Sequence, residues 1–215
     1  MTVRLEATRR GLRLDPERSA SIVVVLVLLA VFLLLGLAAR DGHVFGWDTT
    51  ILKFLHGREQ AAQGSSLDRA AGVIVEFGGN TTTLLVGLAS LAALLARRKG
   101  SDALFVAATG VAILTLTPLF KEVFERTELK YSFPSGNAAR SAAVVTAAVL
   151  IAWSTRLRWP MLLVGTALTA VLGTALVYEN WHLPSDVIGG WCLGIACAAL
   201  LHLAVSRRAL RPSRG

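Results

Sequence analysis

The chain has 215 residues, of which 54% are hydrophobic and only 17% charged, against about 25% charged in soluble domains. Apolar stretches long enough to cross a bilayer recur along the whole sequence, which excludes both an ordinary soluble domain and a soluble domain on a single anchor. The net charge of +8 lies in short loops and tails between apolar stretches, so it is read as membrane topology and not as a nucleic-acid-binding surface.

Residues 1–19 form a basic tail. The first apolar span, 20–39, follows; it is longer than the core of a signal peptide and no small-residue cleavage site comes after it, so it is read as a retained helix. Residues 47–55 then predict a short interfacial helix, with Trp47, Ile51, Phe54 and Leu55 on one face. The second apolar stretch, 67–96, is too long for one straight span, and Gly78-Gly79 is its expected break, with the membrane part beginning near Asn80. Four further spans are drawn at 102–120, 138–155, 159–177 and 186–205, and 207–215 is a second basic tail. The expected architecture is therefore a single all-α domain over 1–215, a bundle of six transmembrane helices with an interfacial helix after the first. Cys192 and Cys197, five residues apart inside the last span, are read as small core residues.

The N-terminal tail, the 97–102 loop, the 156–158 loop and the C-terminal tail hold 14 of the 22 Lys and Arg residues. The positive-inside rule makes that side cytoplasmic, and six spans return both termini to it. The opposite, outward side then holds residues 41–66, 121–137 and 178–186. Nearly everything able to do chemistry lies in the last two.

In 121–137, Lys121 stands at the outer end of one helix and Pro134-Ser135-Gly136-Asn137 opens the next. A capped helix start presents free N–H groups that favour an anion; taken alone it is equally an ordinary cap. In 178–186, His182 precedes Asp186 by four residues across Pro184. A carboxylate that takes one imidazole N–H fixes the tautomer and makes the other nitrogen a better nucleophile or base. A lysine, a Pro-Ser-Gly helix start and an oriented histidine on one side of a membrane together suit phosphoryl transfer.

At this point the residues resemble the type 2 phosphatidic acid phosphatase (PAP2) superfamily of membrane lipid phosphatases. The family motifs are K-x6-R-P, P-S-G-H and S-R-x5-H-x3-D, and the local matches are Phe133-Pro134-Ser135-Gly136 and the run from His182 through Asp186 to Gly190. The resemblance implies a six-helix PAP2-like fold and a site facing outward. It also implies attack on phosphorus by His182, orientation by Asp186, and phosphate binding by Lys121, Ser135 and Gly136. It implies no cofactor, and His43, His56, His182 and His202 show no metal-ligand spacing.

Three family positions are filled otherwise. Glu128 stands where the first motif has arginine, Asn137 where the second has histidine, and Leu176 where the third has arginine. Arginine contacts to phosphate are bidentate and permanently charged, and donors of this kind are worth about 3–4 kcal/mol each in a transition state. Arg126, Lys130 and Arg140 are candidate replacements. Arg140 either lines the site beside Asn137 or snorkels to the interface. If the helix continues past Lys121, Glu125 and Glu128 share its face. Glu179 reads as a solvated loop charge or as a site residue, Trp181 as an interfacial aromatic, and Tyr131 as lying over the site or at headgroup level. Glu76 and Asp68 face either a lipid groove or water.

The family histidine at position 137 protonates a departing alkoxide, a contribution worth about 10²–10⁴-fold. Asn137 cannot do this, so the expected substrate carries a better leaving group. The reading is a lipid phosphatase or diphosphatase that prefers a polyprenyl diphosphate. The alternative is an inactive relative that binds or transports a phospholipid or polyprenyl phosphate. Small residues in the last spans also allow close helix contact within one chain or in a homo-oligomer.

Overall fold

The computed structural model describes residues 16–61, 63–125 and 131–209. Arg126, Glu128, Lys130 and most of both basic tails lie outside these residues. Among the described residues eight helices occur in order: α1 (Pro16–Arg40), α2 (Gly46–Ala61), α3 (Ser66–Phe77), α4 (Asn80–Ala96), α5 (Gly100–Val123), α6 (Gly136–Ile151), α7 (Arg158–Tyr178) and α8 (Pro184–Ala209). Among the described residues there is no strand.

Segments of α1, α5, α7 and α8 are long and apolar enough to cross a membrane. The stretch read as a second span is two helices, α3 and α4, bent by 52° where Gly78-Gly79 parts them. Helix α6, with 16 residues, rises only about 24 Å at 1.5 Å per residue, short of a hydrocarbon core of about 30 Å. Among the described residues, four helices, or five if the bent pair counts as one, are long and apolar enough for a full span, and α6 is a shorter apolar helix. The outer faces of the long helices are strongly apolar, as at Leu34 on α1, Val111 on α5 and Leu163 on α7, all exposed, which is the surface a bilayer covers.

Small residues bring α6 onto α8. A Cβ on Gly190 would lie 2.5 Å from the carbonyl oxygen of Ser135, and one on Gly194 would lie 2.2 Å from that of Ala139. Only glycine allows this approach at two successive turns of α8, against Ala138, Ala139 and Ala142 of α6. Helices pack this closely in membranes because van der Waals contact, not hydrophobic transfer, drives their association there.

Two apolar clusters surround this pair. In one, Phe32 of α1 stacks on Phe133 at 5.5 Å and meets Phe120 and Phe124 of the α5 end edge-on at 4.9 and 5.8 Å. Phe133 is fully buried, and its ring fills the space over Gly189 that a side chain would occupy. The loop entering α6 is thereby pinned between α1 and α8. Cys192 and Cys197 are free thiols in this cluster, as core residues should be. The second cluster joins Val75, Leu172, Leu176, Tyr178 and Val187, with Leu52 and Leu55 of α2 packed against it.

Helix α2 is longer than the interfacial helix expected. Trp47, Ile51 and Phe54 are exposed, whereas Leu55 turns inward with Leu52. The inward stripe is therefore Asp48, Leu52 and Leu55, at the i, i+4, i+7 spacing of one helical face.

Candidate phosphate and histidine site

Helix α6 begins at Ser135, whose Oγ accepts a hydrogen bond from the N–H of Ala138 at 3.5 Å. Ser135 is fully buried, so its side chain serves as a cap. The N–H groups of Gly136 and Asn137 belong to the first turn, where no intrahelical acceptor exists. Thr117 of α5 approaches this helix start: its Cγ2 lies 3.2 Å from where a Gly136 Cβ would stand. Lys121 is one turn beyond Thr117 and within electrostatic reach of Arg140 and Asp186.

Arg140 does not snorkel. It is buried, with 8% of its surface exposed, and it folds back along α6. Its Nη1 lies 2.9 Å from a Cβ position on Gly136, and its Nη2 donates to Oδ1 of Asn137. Its Nε is buried without a protein partner. A guanidinium thus sits at the positive end of α6 beside free N–H groups, and both favour an anion there.

Helix α7 ends in a Schellman turn. Asn180 takes the left-handed conformation (φ 56°), its N–H bonds to Val177 O at 3.0 Å and that of Trp181 to Leu176 O at 3.0 Å. The Asn180 side chain accepts a hydrogen bond from the Tyr131 hydroxyl. The turn delivers His182 to the start of α8. There Asp186, fully buried, accepts the N–H of Leu183 on Oδ2 at 3.0 Å. His182 Nδ1 lies 3.8 Å from the same oxygen, within ion-pair range but longer than a hydrogen bond. That nitrogen is buried with no hydrogen-bond partner, so closing the gap to Asp186 satisfies it.

The two halves of the site meet directly, because the N–H of Ser135 donates to the backbone carbonyl of Asp186 at 3.0 Å. Burial, then the charge of Asp186, holds the Tyr131 hydroxyl above its usual range. Tyr131 therefore belongs with the site.

The structure brings together Lys121, Ser135, Gly136, Asn137, Arg140, His182 and Asp186. Glu125 lies beyond the end of α5, so it does not share the Lys121 helix face. Glu179 faces elsewhere: burial, then the charges of Asp68 and Glu59, raises its carboxyl above the usual range. It belongs to an acidic group with α2 and α3. Asp68 closes the start of α3, accepting the N–H of Gly64 at 3.0 Å. Leu176, where the family carries arginine, is fully buried in the second apolar cluster. Among the described residues no group of His, Cys, Asp or Glu is arranged to hold a metal ion.

Sequence reading missed Asp48. It is fully buried, and it accepts the N–H of Ser185 on Oδ1 and the Ser185 hydroxyl on Oδ2, both at 2.8 Å. Its one sequence signal is its place on the inward stripe of α2.

Residues 112–210 match the PAP2 superfamily. No curated protein matches the chain. Among solved structures, the chain is similar to a transmembrane PAP2-type phosphatidylglycerolphosphate phosphatase from Bacillus subtilis, with a TM-score of 0.69 and 20% identity over 88% of this chain and 98% of that one. At that identity the likeness is one of fold. The segment 112–210, which holds Lys121, Ser135, Gly136, Asn137, Arg140, His182 and Asp186, thus matches the PAP2 superfamily, and the all-helical fold is like that of a transmembrane PAP2-type phosphatase.

Proposed function

We propose that the protein hydrolyses a lipid phosphate, with a polyprenyl diphosphate as its preferred substrate, through a phosphohistidine on His182 at the extracytoplasmic face. The observation that carries this reading is the position of His182 beside buried Asp186, hydrogen-bonded through its backbone to the helix start that holds Ser135, Gly136 and Arg140. His182 Nε2 attacks the terminal phosphorus, and the bond to the bridging oxygen breaks. Arg140, Lys121 and the α6 N–H groups take the charge on the phosphoryl oxygens. Water then attacks the phosphohistidine, the N–P bond breaks, and inorganic phosphate leaves.

The leaving group follows from Asn137. Its side chain holds Arg140 and has no proton to give to an alkoxide. A diphosphate releases a phosphate monoester, which departs as an anion and needs no acid. A place for the tail is at hand. A cavity of about 640 Å³ runs between α4, α5 and α6, walled by Leu84, Leu91, Leu114 and Ala147. Its residues Ile113 and Ala143 lie one turn from Thr117 and Arg140.

One observation favours a second reading, a protein that binds or transports a lipid phosphate without turnover: Leu176 is sealed in an apolar cluster, so no cation occupies that family position. Phosphate release by the purified protein in detergent separates the two. Farnesyl diphosphate, farnesyl phosphate, phosphatidic acid and phosphatidylglycerol phosphate are compared, with His182→Ala as control. Release that vanishes in the variant and is fastest with the diphosphate supports the hydrolase. No release above the variant with any of the four supports the binding protein.

A further inference from the structure

We infer that Asp48, which lies outside all three motifs, is the positioning residue that sets the His182–Asp186 pair by capping the helix on which Asp186 sits; this rests on the hydrolase reading. The bonds come from a distant part of the chain. Both oxygens of Asp48 on α2 engage Ser185, which is 137 residues away and immediately precedes Asp186. Oδ2 also faces the N–H of Phe45 at 3.3 Å. The first turn of α8 is thereby fixed from outside at Ser185 and from within by Asp186, which accepts Leu183 N–H.

The arrangement is not one that stability alone favours. A buried carboxylate is costly even when hydrogen-bonded. Here burial and the neighbouring Asp186 charge hold the Asp48 carboxyl above the usual aspartate range, against the pull of its bonds to Ser185. What the carboxylate achieves is placement. His182 Nδ1 and Asp186 Oδ2 stand 3.8 Å apart and must close by about 1 Å to bond. A displacement of that size at a reacting pair costs about a hundredfold in rate. The same residue ties α2, whose Trp47, Ile51 and Phe54 are exposed for the membrane surface, to the histidine helix.

The test uses the full chain in detergent with farnesyl diphosphate. Asp48→Ala is expected to lower kcat ten- to a hundredfold with KM within about twofold. Asp48→Asn recovers part of that loss, because Oδ1 still accepts Ser185 N–H and Nδ2 donates to Ser185 Oγ, while the Phe45 N–H loses its acceptor. A kcat per folded molecule that Asp48→Ala leaves unaltered, or an Asn variant no better than Ala, overturns the proposal. If Asp48→Ala does not fold, Ser185→Ala removes one of the bonds and is expected to lower kcat about threefold; wild-type kcat in that variant overturns it. If the wild-type chain itself releases no phosphate, the hydrolase reading fails separately. Amide hydrogen exchange then decides the clamp: protection lost at 183–187 in Asp48→Ala upholds it, and protection retained there overturns it.

Discussion

Asn137 and Arg140 form one unit, the asparagine side-chain carbonyl accepting Nη2 of the arginine one helical turn further on. Where the PAP2 second motif has histidine, this chain has an amide that holds a cation. We propose that Arg140 on α6 substitutes for the arginines that the PAP2 motifs carry where this chain has Glu128 and Leu176.

Arg140→Lys is therefore expected to be damaging despite the retained charge. A lysine has no planar fork to bond Asn137 and phosphate together. A fall in kcat/KM of about 10²–10³-fold is expected, the size seen when one oxyanion donor is removed. Steady-state phosphate release from farnesyl diphosphate measures it, and a loss under threefold would show that Arg140 is not a phosphate ligand.

Asn137→His restores an acid at the leaving-group position. Turnover of phosphatidic acid relative to farnesyl diphosphate is expected to rise by about 10²-fold or more. An unchanged ratio of the two kcat/KM values would argue against the leaving-group account of substrate preference.

The α6–α8 contact is expected to be intolerant of even one methyl group. Gly194→Ala sets a Cβ against the backbone oxygen of Ala139, so the helices must separate, at a cost of about 1–3 kcal/mol or more. Thermal unfolding in detergent should show a clear loss, with phosphate release falling as Ser135 and Asp186 part. Gly72→Ala, with no atom within 4 Å of its Cβ position, should leave phosphate release unchanged and, alanine being the better helix former, should not lower the unfolding temperature.

The raised carboxyl of Asp48 has a consequence for stability against pH. The native state holds that proton more tightly than the unfolded chain, whose ordinary value is 3.8. The contribution is fully favourable below that value and is lost as pH rises through the native one. Asp48→Asn lacks this term. Its unfolding temperature relative to wild type should climb as pH rises above 3.8; a difference that stays flat from acid to neutral pH would contradict the burial of an ionised Asp48.

Much of this was legible in the sequence, for identifiable reasons. Hydrophobic runs gave the helices, the Gly78-Gly79 pair gave the bend, and Pro134-Ser135-Gly136 and His182/Asp186 are short-range patterns whose spacing carries their geometry. The length of α6 was less legible: drawn as a span over 138–155, the helix ends at Ile151 and owes its place to glycine contacts with α8. The Asp48–Ser185 bonds were invisible because they join residues 137 positions apart, and an aspartate early in a helix reads first as a local cap. The same holds for Phe133, whose role depends on rings from α1 and from the end of α5.

The most direct test of the central claim is to quench the enzyme during turnover of farnesyl diphosphate radiolabelled in its terminal phosphate. Acid-labile, base-stable label is expected on the peptide carrying His182, absent from His182→Ala and reduced in Asp186→Asn, where His182 is less well oriented for attack. Turnover with no label on His182, or label that persists in His182→Ala, would contradict it.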